Sequence, residues 1–154
     1  MDVVKLLNSL YTFFDSILEK YDVYKVETIG DAYMAVCGLP DPCENHVEQM
    51  MTMAIRMIQI AREFSSDRGM NLRLRIGVNT GAVVAGIIGR RKFIYDLWGD
   101  TVNLASRMES HGVPDAIQVT RPVFEKMRNQ YQFEERGQIE VKGKGAIETW
   151  ILRA

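Results

Sequence analysis

The stretch "KVETIGDAYM", Lys25 to Met34, decides how this chain folds. Two short apolar segments flank Ile29-Gly30-Asp31, and Gly-Asp is a turn dipeptide. The pattern predicts a β-hairpin with arms at Tyr24–Thr28 and Ala32–Gly38 and a carboxylate at its tip. Upstream, Val4, Leu7, Leu10, Tyr11, Phe14, Ile17 and Leu18 recur at helical spacing, which predicts an amphipathic helix over about residues 2–20. Downstream, Asp41-Pro42 breaks the chain. Val47, Met50, Met51, Ala54, Ile58 and Ala61 then form the buried stripe of a second helix, His46–Phe64.

Beyond that helix, Leu72, Leu74, Ile76 and Val78 alternate with Arg73, Arg75, Gly77 and Asn79, as in a half-buried strand. Thr80-Gly81 is expected to turn this strand into a second hairpin with Val83–Ile88, and Phe93–Trp98 reads as a further strand. Asp100 can cap a helix running to about Ser110. A strand at Ile117–Val119 and a helix at Arg121–Asn129 follow. Short strands at Phe133–Glu135, Ile139–Val141 and Thr149–Leu152 close the chain around the turn Lys142-Gly143-Lys144-Gly145. Helices mixed with hairpins imply an α+β fold with helices laid over a sheet. The 154 residues suit one domain, 1–154, with no repeat or linker.

The bulk composition excludes several classes. Net charge is −1, so nothing global points to nucleic acid or an anionic membrane, and the cluster Arg90, Arg91, Lys92 reads as a solvated turn. Cys37 and Cys43 lack zinc-site spacing, and Cys37 reads as a small core residue in a reducing compartment. No apolar run approaches the ~20 residues that span a bilayer. The expectation is a cytoplasmic domain without direct membrane contact, or the cytosolic part of a larger tethered or sensor-linked protein.

Three blocks carry chemistry. Asp31 sits between apolar strands, where a carboxylate needs a partner, and a hard cation such as Mg²⁺ is one; a plain turn residue is the alternative. In "YDLWGDTVNLASRME", Tyr95 to Glu109, Asn103 and Arg107 lie four apart on one helical face. An amide beside a guanidinium suits an anion or a sugar oxygen; the alternative is a surface helix with Arg107 paired to Glu109 or another carboxylate. In "VKGKG", Val141 to Gly145, glycines let the backbone turn tightly and Lys142 could reach a phosphate; the alternative is a basic β-turn.

Together, "KVETIGDAYM", "LRIGVNTGAVVAGIIG", "YDLWGDTVNLASRMES" and "RGQIEVKGKG…TWIL" resemble the catalytic domain of class III adenylyl and guanylyl cyclases, from about Val3 to the C-terminus. The resemblance implies a ferredoxin-like (βαββαβ-type) core related to the polymerase palm. It implies a head-to-tail homodimer with each active site at the interface, and two Mg²⁺ or Mn²⁺ ions per complete site. The implied reaction is attack of the ribose 3′-oxygen of GTP or ATP on the α-phosphorus, giving the cyclic 3′,5′-monophosphate and pyrophosphate.

Carried over to this sequence, Asp31 matches a metal-binding aspartate and Asn103 the ribose-orienting asparagine. Arg107 matches the arginine that stabilises charge on the α-phosphoryl group, and Lys142 the triphosphate lysine. Glu27 and Asp96 occupy the base-selecting positions. Glu27 is the guanylyl cyclase type, since a carboxylate accepts from guanine N1–H and N2–H₂; Asp96 is the adenylyl type. With Asp96 protonated and donating to O6, the balance leans to GTP.

The family's opening strand, a Phe-x-Asp-Ile run carrying the other metal aspartate, has no counterpart after Met1-Asp2-Val3-Val4. The chain is therefore expected to be an N-terminally incomplete catalytic domain lacking its first strand, and inactive or nearly so by itself. The rival reading is a non-catalytic cyclase-like domain that binds nucleotide or regulates through dimerisation. Polymerase-like chemistry on nucleic acid fits the palm but neither the acidic balance nor the motifs.

Overall fold

The computed structural model describes residues 3–29, 31–38, 43–81, 84–88, 94–98 and 100–153. The chain divides into two compact units, Met1–Leu72 and Arg73–Ala154.

In the first unit, helix α1 (Val3–Leu18) leads into the hairpin β1 (Val23–Ile29) and β2 (Ala32–Cys37), followed by helix α2 (His46–Asp67). The hairpin is antiparallel, with Ile29 opposite Ala32 and an irregularity between Lys25 and Glu27. The apolar stripe of α1 is buried at Leu10, Phe14, Ile17 and Leu18; that of α2 at Met51, Met53, Ala54 and Ile58. These stripes close over the hairpin, where Ile17, Leu18, Val23 and Met53 form one cluster that Tyr33 and Ala35 pack against. Aromatic edges add directional contacts: Tyr33 lies 5.6 Å from Phe14, edge-on, and 5.1 Å from Tyr11. Helix α2 outlasts its expected end at Phe64 because Ser65 exchanges hydrogen bonds with Leu72, fixing the chain reversal beyond the helix. Cys37 is half-buried rather than core, and its thiol donates to the Asp22 carbonyl.

In the second unit, β3 (Arg75–Val78), β6 (Ala116–Thr120), β8 (Gly145–Arg153) and β7 (Glu134–Val141) form one sheet in that order. β3 and β6 are parallel, and the other pairings are antiparallel. β4 (Val84–Ile88) and β5 (Ile94–Trp98) form a separate antiparallel pair. Helices α3 (Asp100–Ser110) and α4 (Arg121–Met127) complete the unit. β6 is buried at every position because neighbours flank it and helices cover it.

Two expectations need correction. β3 does not turn into a hairpin with β4: among the described residues, β4 pairs with β5 and β3 pairs with β6. The turn residues Thr80-Gly81 suggested the hairpin, but β3 finds its hydrogen-bonding partner in the distant strand β6. Residues 133–141 hold not two short strands but one, bent by an irregularity between Glu135 and Gly137, where Gly137 takes φ 105°. The Asp41-Pro42 break, the Arg90–Lys92 cluster, and Gly30, Val83 and Phe93 lie outside the described residues.

The face of β3 assigned to water by alternation is instead covered by α3. A Cβ on Gly77 would stand 2.2 Å from the Glu109 amide nitrogen and 2.5 Å from the Ala105 carbonyl oxygen. These are backbone atoms that cannot rotate away. Gly77→Ala should therefore force α3 off the sheet and destabilise the protein by about 2–3 kcal/mol, as for overpacked cores. Guanidinium denaturation checks this; an unchanged midpoint would show that α3 is not seated on Gly77.

Candidate active site

The candidate functional face of the second unit is built on α3. Its inward side carries fully buried Met108, and its outward side carries Asn103, Ser106, Arg107 and Ser110, all exposed. That spacing is one stripe of a helix. Asn103 and Arg107 thus project together into solvent, as their spacing predicts. Arg107 is not paired with Glu109: the Arg75 guanidinium lies 3.2 Å from that carboxylate as an ion pair, without hydrogen-bond alignment at Oε2. Among the described residues, no ion pair or hydrogen bond engages the side chain of Asn103 or Arg107.

Three contacts hold α3 in place. At its first turn, the Asn79 side-chain amide donates to the Thr101 carbonyl at 3.0 Å and accepts from the Thr120 hydroxyl at 2.6 Å. One asparagine thus ties the end of β3, the end of β6 and the start of α3. At the other end, fully buried Gln118 donates to the Met108 carbonyl at 3.2 Å. Arg136 bonds both the Gln118 side-chain oxygen and the His111 carbonyl, placing a cation at the negative end of the helix dipole. The third contact joins the β7–β8 turn to the first turn of α3: Lys144 pairs with Asp100 at 2.6 Å.

That turn carries Lys142. The Lys144 amide donates to the Val141 carbonyl at 2.9 Å, and Gly143 and Gly145 take φ of 82° and 79°. Positive φ at both positions requires residues without a side-chain clash. Lys142 is exposed. The structure therefore brings Asn103, Arg107 and Lys142 to one region of the second unit, with Lys144–Asp100 as the link.

In the first unit, Asp31 is exposed at the hairpin tip, and its backbone carbonyl accepts from the Tyr11 hydroxyl. A solvent-facing carboxylate offers the hard oxygen that Mg²⁺ or Mn²⁺ takes, so the residue fits a metal ligand. Among the described residues, no three His, Cys, Asp or Glu side chains gather as a ready metal cage. Glu27 lies on β1 opposite Met34, and Asp96 on β5 opposite Gly86; their side chains lie outside the described atoms. Reading by motif passed over Asn79, Gln118, Arg136 and Tyr11. Of these, Asn79 lies inside the block "LRIGVNTG" and Arg136 opens the block "RGQIEVKGKG".

All 154 residues match the model of the adenylate and guanylate cyclase catalytic domain. The chain belongs to that family. It is 42% identical over 151 residues to an adenylate cyclase of Mycobacterium tuberculosis, covering 98% of this chain and 34% of that protein. It is 44% identical over 154 residues to the human guanylate cyclase soluble subunit beta-2, covering 99% of this chain and 25% of that protein. The chain thus spans about a third or less of these relatives.

Among solved structures, the guanylate cyclase domain of RhGC from Catenaria anguillulae, in complex with GTP, superposes with a TM-score of 0.89. The two are 36% identical, over 99% of this chain and 84% of that one. The dimeric guanylyl cyclase domain of the RhoGC fusion protein from Blastocladiella emersonii gives a TM-score of 0.87 at 34% identity, over 98% and 83% of the two chains. The fold is therefore that of the class III cyclase catalytic domain, as the motifs implied. No helix among the described residues is long and apolar enough to cross a membrane.

The Asn79 contacts generate a local test. Asn79→Asp keeps the acceptor for Thr120 but removes the donor to Thr101 and sets a carboxylate against a carbonyl. Loss of about 1–3 kcal/mol should be concentrated at the first turn of α3. Hydrogen exchange of amides 101–104 should accelerate by about tenfold, with β8 unchanged; uniform acceleration would remove Asn79 from its local role.

Proposed function

We propose that the protein is a purine nucleotide cyclase that converts GTP, and less readily ATP, to the cyclic 3′,5′-monophosphate and pyrophosphate. The observation that carries this reading is the exposed Asn103–Arg107 face of α3, joined to the Lys142 turn through Lys144 and Asp100. An amide and two cations, none committed to a carboxylate among the described residues, suit a ribose and a polyphosphate. The guanylyl and adenylyl cyclases similar to this chain support the same reaction class.

In this reading Asn103 orients the ribose so that its 3′-oxygen faces the α-phosphorus. Arg107 stabilises the charge that develops on the α-phosphoryl oxygens, an interaction stronger in the transition state than in the ground state. Lys142 holds the terminal phosphates and the leaving pyrophosphate. Glu27 and Asp96 meet the purine edge, and two half-matched carboxylates make base selection loose. Asp31 is a ligand for the divalent cations, which when bound activate the 3′-oxygen and neutralise phosphate charge.

The whole protein, assayed with millimolar Mn²⁺ and either nucleotide, should release cyclic product. Arg107→Ala should lower kcat by about 100-fold or more with KM little changed, as for the loss of a transition-state donor. Unchanged kcat would remove Arg107 from the mechanism. Absence of cyclic product with both nucleotides would transfer the reading to a non-catalytic nucleotide-binding domain.

The assembly that supports this chemistry is a head-to-tail homodimer, in which Asp31 of one subunit and the Asn103–Arg107 pair of the other serve the same site. The dimeric relative from Blastocladiella supports dimerisation as such. Mixing Asp31→Ala with Arg107→Ala subunits should restore activity at one site per dimer. No rescue in proven mixed dimers would overturn shared sites.

A further inference from the structure

Arg136 stands exposed on β7, at one end of the described sheet, yet its guanidinium acts two strands away. The sheet runs β3-β6-β8-β7, so β8 lies between Arg136 and Gln118 of β6. Neighbouring strands are about 4.8 Å apart, which puts the backbones of β7 and β6 roughly 10 Å from each other. The pairing shows how this reach is made. Glu135 lies opposite Trp150 and Gly137 opposite Thr149, so Arg136 is the extra residue between two consecutive pairs. An extra residue of this kind bends its strand and re-aims a side chain. Gly137 takes φ 105°, and the hydroxyl of fully buried Thr149 donates to its carbonyl at 3.0 Å. The irregularity is thus held by a hydrogen bond from β8 itself.

One guanidinium nitrogen of Arg136 donates to two acceptors, the Gln118 side-chain oxygen and the His111 carbonyl just beyond α3. The first bond fixes more than Arg136. A primary amide has one acceptor end and one donor end, and Gln118 is completely buried. With its oxygen turned to Arg136, the amide nitrogen faces the other way and donates to the Met108 carbonyl at 3.2 Å. Met108 is the residue after Arg107. His111, which takes the second bond from Arg136, donates its own amide to the Arg107 carbonyl at 2.9 Å. Both routes from Arg136 therefore end at the backbone that carries Arg107.

We infer that Arg136 is a positioning residue for Arg107: from its bulged place on β7 it orients the buried Gln118 amide and holds the His111 carbonyl, and so sets where α3 presents the Arg107 guanidinium. This rests on the reading of Arg107 as the donor to the α-phosphoryl group. Arg136 acts through Gln118 and α3, not on the nucleotide. A donor that works in the transition state is sensitive to small misplacement, whereas ground-state binding is spread over base, ribose and phosphates. Loss of the clamp should therefore appear in kcat and leave KM nearly unchanged.

The test uses the whole protein with millimolar Mn²⁺ and GTP. Arg136→Met keeps most of the stem and removes the donors; kcat should fall by about tenfold, the worth of one hydrogen bond, with KM within about twofold. If that variant does not melt cooperatively, Arg136→Gln, polar but too short to span β8, replaces it. Arg136→Lys, which restores a cationic donor, should return kcat to within about threefold of wild type. Gln118→Met should match Arg136→Met, and the double variant should be no worse than either, since both break one linkage. In an Arg107→Ala background, Arg136→Met should leave kcat where it is, because the group it positions is gone. Losses that multiply there, or a rise in KM as large as the fall in kcat, would show a general loosening and overturn the inference.

Hydrogen exchange gives a reading independent of turnover. The His111 and Gly112 amides, which close the end of α3, should exchange about tenfold faster in Arg136→Met, with the amides of α4 unchanged. Absence of this acceleration would show that the clamp does not hold α3 and would overturn the inference by itself. If Arg107→Ala leaves kcat unchanged, the reading of Arg107 fails, and the positioning role fails with it. If Arg107→Ala impairs turnover while Arg136→Met speeds exchange and leaves kcat at the wild-type value, the positioning role alone is overturned.

Discussion

The second unit depends on a close approach of backbone to backbone, where α3 lies directly on β3 at Gly77. A helix can come this near a strand only where no side chain stands between them. The approach then sets the height and roll of α3, and with them which residues face water. Met108 goes inward, and Asn103 and Arg107 go outward. Hydrogen bonds from Asn79 at one end and Gln118 at the other fix position along the strand, which van der Waals contact with a bare glycine cannot. Gln118 is affordable in the centre of a buried strand because both ends of its amide are used, by Met108 and by Arg136.

The first unit holds its hairpin by different means. A two-stranded hairpin alone is marginal in water. Here two amphipathic helices close over it, and the aromatic cluster of Tyr11, Phe14 and Tyr33 couples α1 to it. The polar tips of those rings do what apolar packing cannot. Asp15 takes the Tyr33 hydroxyl and the Asp31 carbonyl takes that of Tyr11, so each buried phenol is satisfied and orientation is specified as well as proximity.

Where the hydrophobic period was strong, the elements could be read from the residues. α1, α2 and the first hairpin follow from stripes of spacing 3.6 and from Gly30-Asp31. The site stripe on α3 follows from the four-residue separation of Asn103 and Arg107. Strand partners were not legible, because alternation identifies a strand but not its neighbour. Thr80-Gly81 carries a turn signal that is locally correct, yet β3 finds its partner 41 residues on, with Ile76 opposite Ile117. The Gly77 face was misassigned for the same reason. A glycine in an alternating strand reads as a polar-side position, whereas tertiary contact uses its missing side chain. The contact of Gln118 with α3 was invisible, since a glutamine in a strand carries no motif.

In the proposed function, the local placement of charge lets the site hold an anion in a chain whose net charge is −1. Several cations outside the site are committed: Lys25 to Asp15, Arg121 to Glu125 and Glu148, Arg153 to Glu134. Such exposed pairs contribute little stability one by one. Their collective consequence is electrostatic, since paired charges cancel within a few ångströms and leave no field at the range over which a polyphosphate is drawn in. Lys144 is spent in the same way on Asp100, and that pairing fixes the turn without competing for ligand. Among the described residues, Arg107 and Lys142 have no carboxylate to neutralise them. In the proposed function, a polyphosphate is held by where Arg107 and Lys142 stand, and needs no excess of positive charge in the chain as a whole.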